Sequence, residues 1–271
     1  MAAVSRLGRN LNKNTKAENR LRVFCAAPPP RGAQVAGAQV DIHLIMWDNP
    51  INQREVYIMF DSLPDYKDQL KQDKRNLSNV SKMPGFSISR SAYLCHVGQK
   101  LRKVKGSTCE KCYACKGMYN MPNVVAAMER REIFFNAIDF VPRMVAVLNT
   151  LRKPEFRWFD SGDVDSVRMG LNILDICEAT PHLKHWIPSR EYKIWGDVLK
   201  LRKLPNNVTL RMSAHMIDGA PSKGWKNTST VSSHGSKTVG HVCPAPLNDG
   251  KCGDCRACWD PKVDNVTYYQ H

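Results

Sequence analysis

Short apolar runs alternate with amphipathic segments through the second half of the chain, which is the pattern of a parallel α/β sheet. The pattern predicts strands at 156–159, 184–187 and 208–212, with helices at 166–178 and 195–201 between them. Parallel strands need a crossover connection, and helices of this size supply right-handed βαβ units. We therefore expect an α/β fold that contains a partial parallel βαβ sheet or an incomplete barrel.

The pattern is less regular upstream. Two β-rich runs, 41–47 and 55–60, are separated by Asp48-Asn49-Pro50 and predict an N-terminal β-hairpin. We predict a helix or solvated connection at 65–82 and a short strand-like stretch at 86–94. Two helical stretches follow, at 124–134 and 140–151. Residues 1–40 are basic and contain three consecutive prolines, so we interpret them as a flexible leader and 41–271 as a single α/β domain.

Polar residues follow each predicted strand. Asp160 and Asp163 follow the first strand, Arg190 the second and His215 the third. Because ligand chemistry in α/β sheets gathers at the carboxyl ends of strands, these four residues are candidate cofactor-binding residues. Helix capping and turn formation are the alternative explanation for the same residues.

Charge and hydropathy narrow the class of protein. The mean hydropathy is −0.42, and no run approaches the ~18 consecutive apolar residues of a membrane helix, which excludes an integral membrane protein. The net charge is +15, and it is concentrated in two windows, 1–31 and 71–131. Windows of this kind indicate a polyanionic partner, either nucleic acid or an acidic protein.

Eight of the ten cysteines form two sets of four with the same C-x₂-C-x₂-C core. The first cysteine set, within 95–115, is Cys95, Cys109, Cys112 and Cys115; the second cysteine set, within 243–258, is Cys243, Cys252, Cys255 and Cys258. No secretory signal precedes them, so the spacing favours metal ligation over disulfides. The sequence predicts two cysteine-rich metal-binding loops.

Four thiolates satisfy either a tetrahedral zinc or a 4Fe-4S cluster. Three cysteines spaced by two residues, with a remote Cys243 followed by Pro244, resemble a ferredoxin ligand run more than paired zinc knuckles. An iron–sulfur cluster at one or both sets is therefore expected, with zinc as the alternative.

A cluster held by only three cysteines leaves one iron open, as in radical enzymes that bind S-adenosylmethionine. The usual C-x₃-C-x₂-C spacing is absent, but Cys95, Cys109 and Cys112 form an atypical version. Arg190 is then the natural partner of the cofactor's carboxylate.

Several segments together resemble a known family. They are Ser81-Lys-Met-Pro-Gly-Phe-Ser, Cys112-Tyr-Ala-Cys-Lys-Gly-Met-Tyr119, Asp160-Ser-Gly-Asp163, Cys243-Pro and Lys251-Cys-Gly-Asp-Cys-Arg-Ala-Cys-Trp259. On these motifs the chain resembles the bacteriophage gene product 88 family over about residues 76–271. The resemblance implies a phage-encoded protein in the cytoplasm of an infected bacterium, and it implies no established activity.

Two functions compete at this point. The first is an iron–sulfur protein for electron transfer, a structural cluster or radical chemistry at the strand ends. The second is a zinc-stabilised nucleic-acid-binding protein in which Tyr93, Tyr113 and Tyr119 stack on bases.

Overall fold

The computed structural model describes residues 66–270, in which all strands belong to one parallel sheet. The strands are β1 (Phe86–Ile88), β2 (Glu155–Trp158), β3 (Lys184–Ser189), β4 (Val208–Ile217), β5 (Thr228–Ser232), β6 (His241–Val242) and β7 (Asn265–Tyr269). Their order is β1-β2-β3-β4-β5-β7-β6, and every neighbouring pair is parallel. The predicted α/β fold with a parallel sheet is confirmed. Among the described strands the sheet ends at β1 and β6 and does not close into a barrel.

The described α-helices precede β1 or connect the first four strands. They are α1 (Tyr66–Lys74), α2 (His96–Leu101), α3 (Pro122–Asn136), α4 (Phe140–Leu148), α5 (Val167–Ala179) and α6 (Tyr192–Leu201). The start of α5 is determined locally, because the side chain of Ser166 accepts a hydrogen bond from the Met169 amide. The predicted leader and N-terminal hairpin lie outside the described residues.

The helical layer packs on one face of the sheet. Strands β1 to β5 follow one another without a reversal of order, so right-handed crossovers place their helices on the same side. The core on this side is apolar and buried, and it includes Ile88, Phe156, Trp158, Ile173, Leu174, Ile187, Trp195, Leu210 and Met212.

The opposite face of the sheet carries the alternate residues of the same strands. Arg157, Trp186 and Arg211 lie there, and the segment that follows Cys252 covers part of this face. The rings of Trp186 and Trp259 meet edge to face with centroids 5.1 Å apart. The two cysteine sets therefore lie at different places on the sheet. The second set lies over one face, and the first set lies at the carboxyl ends of the strands.

Two predicted elements differ from the structure. The stretch 86–94 is a strand only from Phe86 to Ile88, because a 3₁₀ turn spans Ala92–Leu94. The sequence predicts that His215 follows the strand, and this is wrong. Strand β4 continues to Ile217, so His215 lies within it. Within this extension of β4, Met216 forms an isolated antiparallel bridge with Ser107.

Candidate functional site

The carboxyl ends of β1, β2 and β3 surround a pocket of about 120 Å³, which we call the edge pocket. Its lining includes three thiols and three of the predicted cofactor-binding residues, namely Cys95, Cys109, Cys112, Asp160, Asp163 and Arg190. Arg157 from β2 also lines it. The fold thus brings Cys95 from the start of α2, Cys109 and Cys112 from the loop after it, and charged residues from two strand ends to one place.

The loop that carries Cys109 is attached to neighbouring strands by hydrogen bonds. The Thr108 amide donates to the carbonyl of His215 at 2.9 Å, and Arg190 Nε donates to Thr108 Oγ1 at 3.0 Å. The Tyr113 hydroxyl donates to the carbonyl of Asp160. These contacts hold the loop against the ends of β2, β3 and β4.

The three thiols that face the edge pocket share one electrostatic environment. Burial raises the pKa of Cys95, and the charges of Asp163, Cys109 and Cys112 raise it further. Burial also raises the pKa of Cys109, although the Arg190 charge acts in the opposite direction. A cation bound among these thiolates would remove their mutual repulsion, so metal binding here is coupled to proton release.

Cys115, the fourth member of the first set, has a different position. It is buried against Ala92 and Ala114 and does not line the edge pocket. Its charge raises the pKa of Cys112, after the larger effect of burial. Three thiols of the first set therefore line the edge pocket, and the fourth, that of Cys115, is buried outside it.

The turn after β2 depends on Gly162. Its φ is +78°, and a Cβ at this position would lie 2.6 Å from the Cβ and 2.7 Å from the carbonyl oxygen of Arg90. Arg90 is fully buried and forms ion pairs with Glu132 and Asp165. Only glycine allows the turn to approach this buried arginine so closely.

Asp163 connects two strand ends. Its carboxylate accepts hydrogen bonds from Ser189 Oγ at 2.7 Å, the Arg190 amide at 2.7 Å and the Val164 amide at 2.8 Å. Burial raises the pKa of Asp163 to about 7 despite these donors. Its oxygens are already used within the protein, so its contribution to the edge pocket is to position Arg190.

Asp160 and Arg157 have unused polar atoms in the edge pocket. Asp160 Oδ1 and Arg157 Nε are both buried, and neither has a hydrogen-bond partner within residues 66–270. Buried polar atoms without partners are costly, so both groups would gain from a ligand or water molecule that reaches them.

His215 does not line the edge pocket. Its ring stacks on Tyr192 with centroids 4.5 Å apart, and its Nε2 lies 3.4 Å from the carbonyl of Arg190. Of the four predicted cofactor-binding residues, the structure brings Asp160, Asp163 and Arg190 together, while His215 lies next to them on β4. Ligand contact by any of the four stays a prediction.

The second cysteine set is anchored by main-chain hydrogen bonds. The Cys243 amide donates to the carbonyl of Thr267 at 2.9 Å, and the Cys252 amide donates to the carbonyl of Lys82 at 2.9 Å. The Cys258 sulfur lies 3.1 Å from the Tyr268 hydroxyl, and burial raises the pKa of this thiol to about 11. Burial likewise raises the pKa of Cys252, with further contributions from the charges of Cys243 and Cys255.

Arg211 lies beneath the second set, and the sequence analysis did not single it out. It is completely buried, and its donors bind five main-chain carbonyls at 2.7–3.2 Å, those of Cys258, Thr228, Val263, Ala257 and Asp260. No carboxylate in residues 66–270 forms an ion pair with it, and burial lowers its pKa. In the strand Val208-Thr-Leu-Arg-Met212, alternation places Arg211 on the face away from the apolar core, so the sequence gives no sign that it is buried.

The thiols do not converge as a formed metal site. In the part of the chain that the structure describes, no group of three or more His, Cys, Asp or Glu side chains is arranged to hold a metal ion. The donor chemistry of both sets fits a thiolate-ligated metal or cluster, and metal binding stays a prediction.

The surface of the basic window 71–131 is less charged than its composition suggests. Arg90 and Arg131 are buried; Arg131 donates to the carbonyl of Asn76 and to the hydroxyls of Ser78 and Ser89. Exposed lysines remain around the first cysteine loop, namely Lys100, Lys103, Lys105, Lys111 and Lys116.

None of the helices described here has the length and hydropathy of a membrane span.

Comparison with known proteins gives one match. The family model described as gene product 88 matches residues 62–261, which include both cysteine sets and the edge pocket. No curated protein and no solved structure matches the chain.

Proposed function

The chain belongs to the gene product 88 family, and from the surroundings of its two cysteine sets we propose that it is an iron–sulfur protein. Each set supplies thiols for a 4Fe-4S cluster, and the protein acts in the cytoplasm of a phage-infected bacterium. The observation that carries the proposal is the buried charge of Arg211 under the second set, which has no ion pair among the described residues.

A buried guanidinium without an ion pair is expensive, because desolvation penalises the cation, and the five carbonyls and the charges of Asp260 and Asp264 offset that penalty only in part. Four thiolates around a doubly charged cluster leave about two net negative charges. Bound at Cys243, Cys252, Cys255 and Cys258, such a cluster would compensate Arg211. Zinc with four thiolates carries the same net charge, so the ferredoxin-like spacing is the reason to favour iron and sulfide.

The first set supports a different role. Cys95, Cys109 and Cys112 face the edge pocket, which also contains the unpartnered atoms of Asp160 and Arg157. A cluster held by three cysteines supplies an open iron that binds the amino and carboxylate groups of S-adenosylmethionine. Arg190 would bind the carboxylate, and Asp160 would bind the ammonium group.

A zinc-stabilised nucleic-acid-binding protein is the second candidate. The exposed rings of Tyr93 and Tyr113, on segments that carry the first cysteine set, favour it because exposed aromatic rings stack on bases, although Arg102 lies over the Tyr93 ring and Tyr119 packs against the Tyr113 ring. The burial of Arg90 and Arg131 counts against it, since neither charge reaches a phosphate backbone.

Purification without oxygen, followed by iron, sulfide and zinc analysis, tests the proposal. We expect brown protein with about four irons and four sulfides for each loaded set. Cys255→Ser should remove the iron of the second set and Cys112→Ser that of the first, because each loses one thiolate ligand. Cys177→Ala is the matched control, since Cys177 is buried in the apolar core and should leave the iron content unchanged.

Colourless protein with stoichiometric zinc and no sulfide would contradict the proposal and favour the second candidate. Equal iron loss in Cys177→Ala and Cys255→Ser would also contradict it, because iron loss would then follow general destabilisation rather than ligation. Reduced, loaded protein that neither binds nor cleaves S-adenosylmethionine would remove the role given to the edge pocket and leave electron transfer.

A further inference from the structure

A second, larger cavity of about 770 Å³ opens on the sheet face opposite the helices, and we call it the face cavity. Its walls include Trp186 from β3, Ser213 from β4, Ser229 from β5 and Tyr268 from β7. The volume lies within the roughly 300–1,000 Å³ typical of small-molecule sites. Nothing in the proposed roles of the two cysteine sets uses this space.

The face cavity adjoins the edge pocket. Tyr113, Arg157, Pro188 and Arg190 line both. On its far side Tyr268 contacts the Cys258 sulfur, so the cavity extends between the first and the second cysteine sets.

Two residues that line the face cavity each have a buried donor without a partner. Trp186 is 94% buried, and its Nε1 has no acceptor within residues 66–270; Arg157 Nε is in the same condition. The Arg157 guanidinium lies 4.6 Å from the centroid of the Trp186 ring, so the two unused donors belong to neighbouring groups. Buried donors of this kind require an acceptor from a ligand or from water.

The carboxylates that line the cavity are already engaged. Glu110 accepts from the Gly106 amide at 2.7 Å, and Asp218 accepts from the amide and hydroxyl of Ser233 at 2.8 and 2.7 Å. Exposed Lys105 and Lys111 add positive charge at the lining. The electrostatic balance of the cavity therefore favours an anion.

We propose that the face cavity binds a nucleotide-class ligand, in which a phosphate is bound by Arg157 and a planar base packs among aromatic side chains. A guanidinium matches the geometry of phosphate oxygens, and the rings of Tyr113, Trp186 and Tyr268 supply apolar, planar walls. The unpartnered Trp186 Nε1 donates to an acceptor on the ligand. The assignment does not depend on which metal the cysteines bind.

Binding is tested on the full chain as purified, with the metal content of each sample measured. The probes are the four common nucleoside 5′-monophosphates, the corresponding nucleosides and inorganic phosphate, followed by calorimetry and by tryptophan fluorescence. We expect at least one monophosphate to bind about tenfold or more tightly than its nucleoside and than inorganic phosphate.

Three variants locate the site. Arg157→Gln should weaken binding about tenfold to a hundredfold, because a charge-assisted contact is lost. Trp186→Phe keeps an aromatic ring but removes the unused donor and reduces the ring size, so a several-fold loss is expected, and denaturant unfolding of the same variant measures its effect on the fold. Arg168→Gln is the matched control, since Arg168 is exposed on α5 in the helical layer and should bind like the unmodified chain.

Absence of binding by every monophosphate at millimolar concentration would overturn the assignment. Equal weakening in Arg168→Gln and Arg157→Gln would do the same, because the effect would then reflect overall charge. Binding of inorganic phosphate as tight as that of the monophosphates would refute the nucleotide class. Metal analysis of the same samples keeps these outcomes separate from failure of the iron–sulfur proposal.

Discussion

Replacing Arg211 by methionine tests whether this buried arginine holds the second cysteine segment in place. Methionine has a similar length and is apolar, so the change removes the charge and all five carbonyl contacts without adding bulk. Four of those carbonyls, those of Ala257, Cys258, Asp260 and Val263, belong to the segment that follows Cys255.

The magnitude follows from what each carbonyl retains. The carbonyls of Ala257, Asp260 and Val263 keep a second donor, namely the Asp260 amide, the Val263 amide and Asn227 Nδ2. Each of these three losses therefore costs roughly 1–1.5 kcal/mol rather than the full penalty of an unpartnered carbonyl, and the losses at Cys258 and Thr228 add to them. After subtracting the gain from no longer burying a cation, we expect a loss of about 4 kcal/mol in the free energy of unfolding.

Denaturant unfolding followed by tryptophan fluorescence measures this loss, since Trp186 and Trp259 pack together beside the affected segment. Arg202→Met is the control, because Arg202 forms partly exposed ion pairs with Asp175 and Glu178 that contribute less than about 1 kcal/mol. Arg211→Lys should retain the iron of the second set better than Arg211→Met, because it keeps the positive charge. An Arg211→Met protein as stable as the Arg202→Met control would refute the reasoning.

Two further predictions concern the turn after β2 and the buried histidine of β3. Gly162→Ala should lower the free energy of unfolding by about 2–4 kcal/mol, measured by denaturant unfolding. Gly224→Ala is the control: its φ is +80°, no atom lies within 4 Å of the added Cβ, and the loss should be only about 1–2 kcal/mol. Equal losses would show that contact with Arg90 is irrelevant. Burial lowers the pKa of His185 to about 3, so the neutral ring stabilises the fold above pH 6.5, and up to about 4 kcal/mol is lost as the pH falls from 6.5 towards 3. His185→Gln should flatten the dependence of stability on pH in that interval, and an unchanged slope would contradict this.

Local pattern was sufficient for the central βαβ units. The strands predicted at 156–159 and 184–187 occur at Glu155–Trp158 and Lys184–Ser189, and the helix predicted at 166–178 occurs at Val167–Ala179. These elements bury one regular apolar face, so their periodicity is visible in the chain itself. The cysteine spacing and the gene product 88 motifs were equally legible, and the family match agrees with them.

Polar strands were not predictable in this way. Strands β5 (Thr228–Ser232) and β7 (Asn265–Tyr269) bury threonine, serine and asparagine, and their stability depends on each other. Thr230 Oγ1 lies 2.9 Å from Thr267 Oγ1, and Asn265 Nδ2 donates to Thr230 Oγ1 at 3.0 Å. Residues of this kind favour turns when read alone, and only pairing across strands makes them core residues.

Only the tertiary structure shows which arginines are buried and which of them have ion-pair partners. Arg90, Arg131 and Arg211 are indistinguishable from surface arginines in the sequence, yet all three are buried, and Arg211 lies under the second cysteine set without an ion pair among the described residues. Arg157 and Trp186 come from different strands and acquire their common cavity only when β2 and β3 pair. Burial and the loss of hydrogen-bond partners arise from contacts distant in sequence, so no local pattern of residues encodes them.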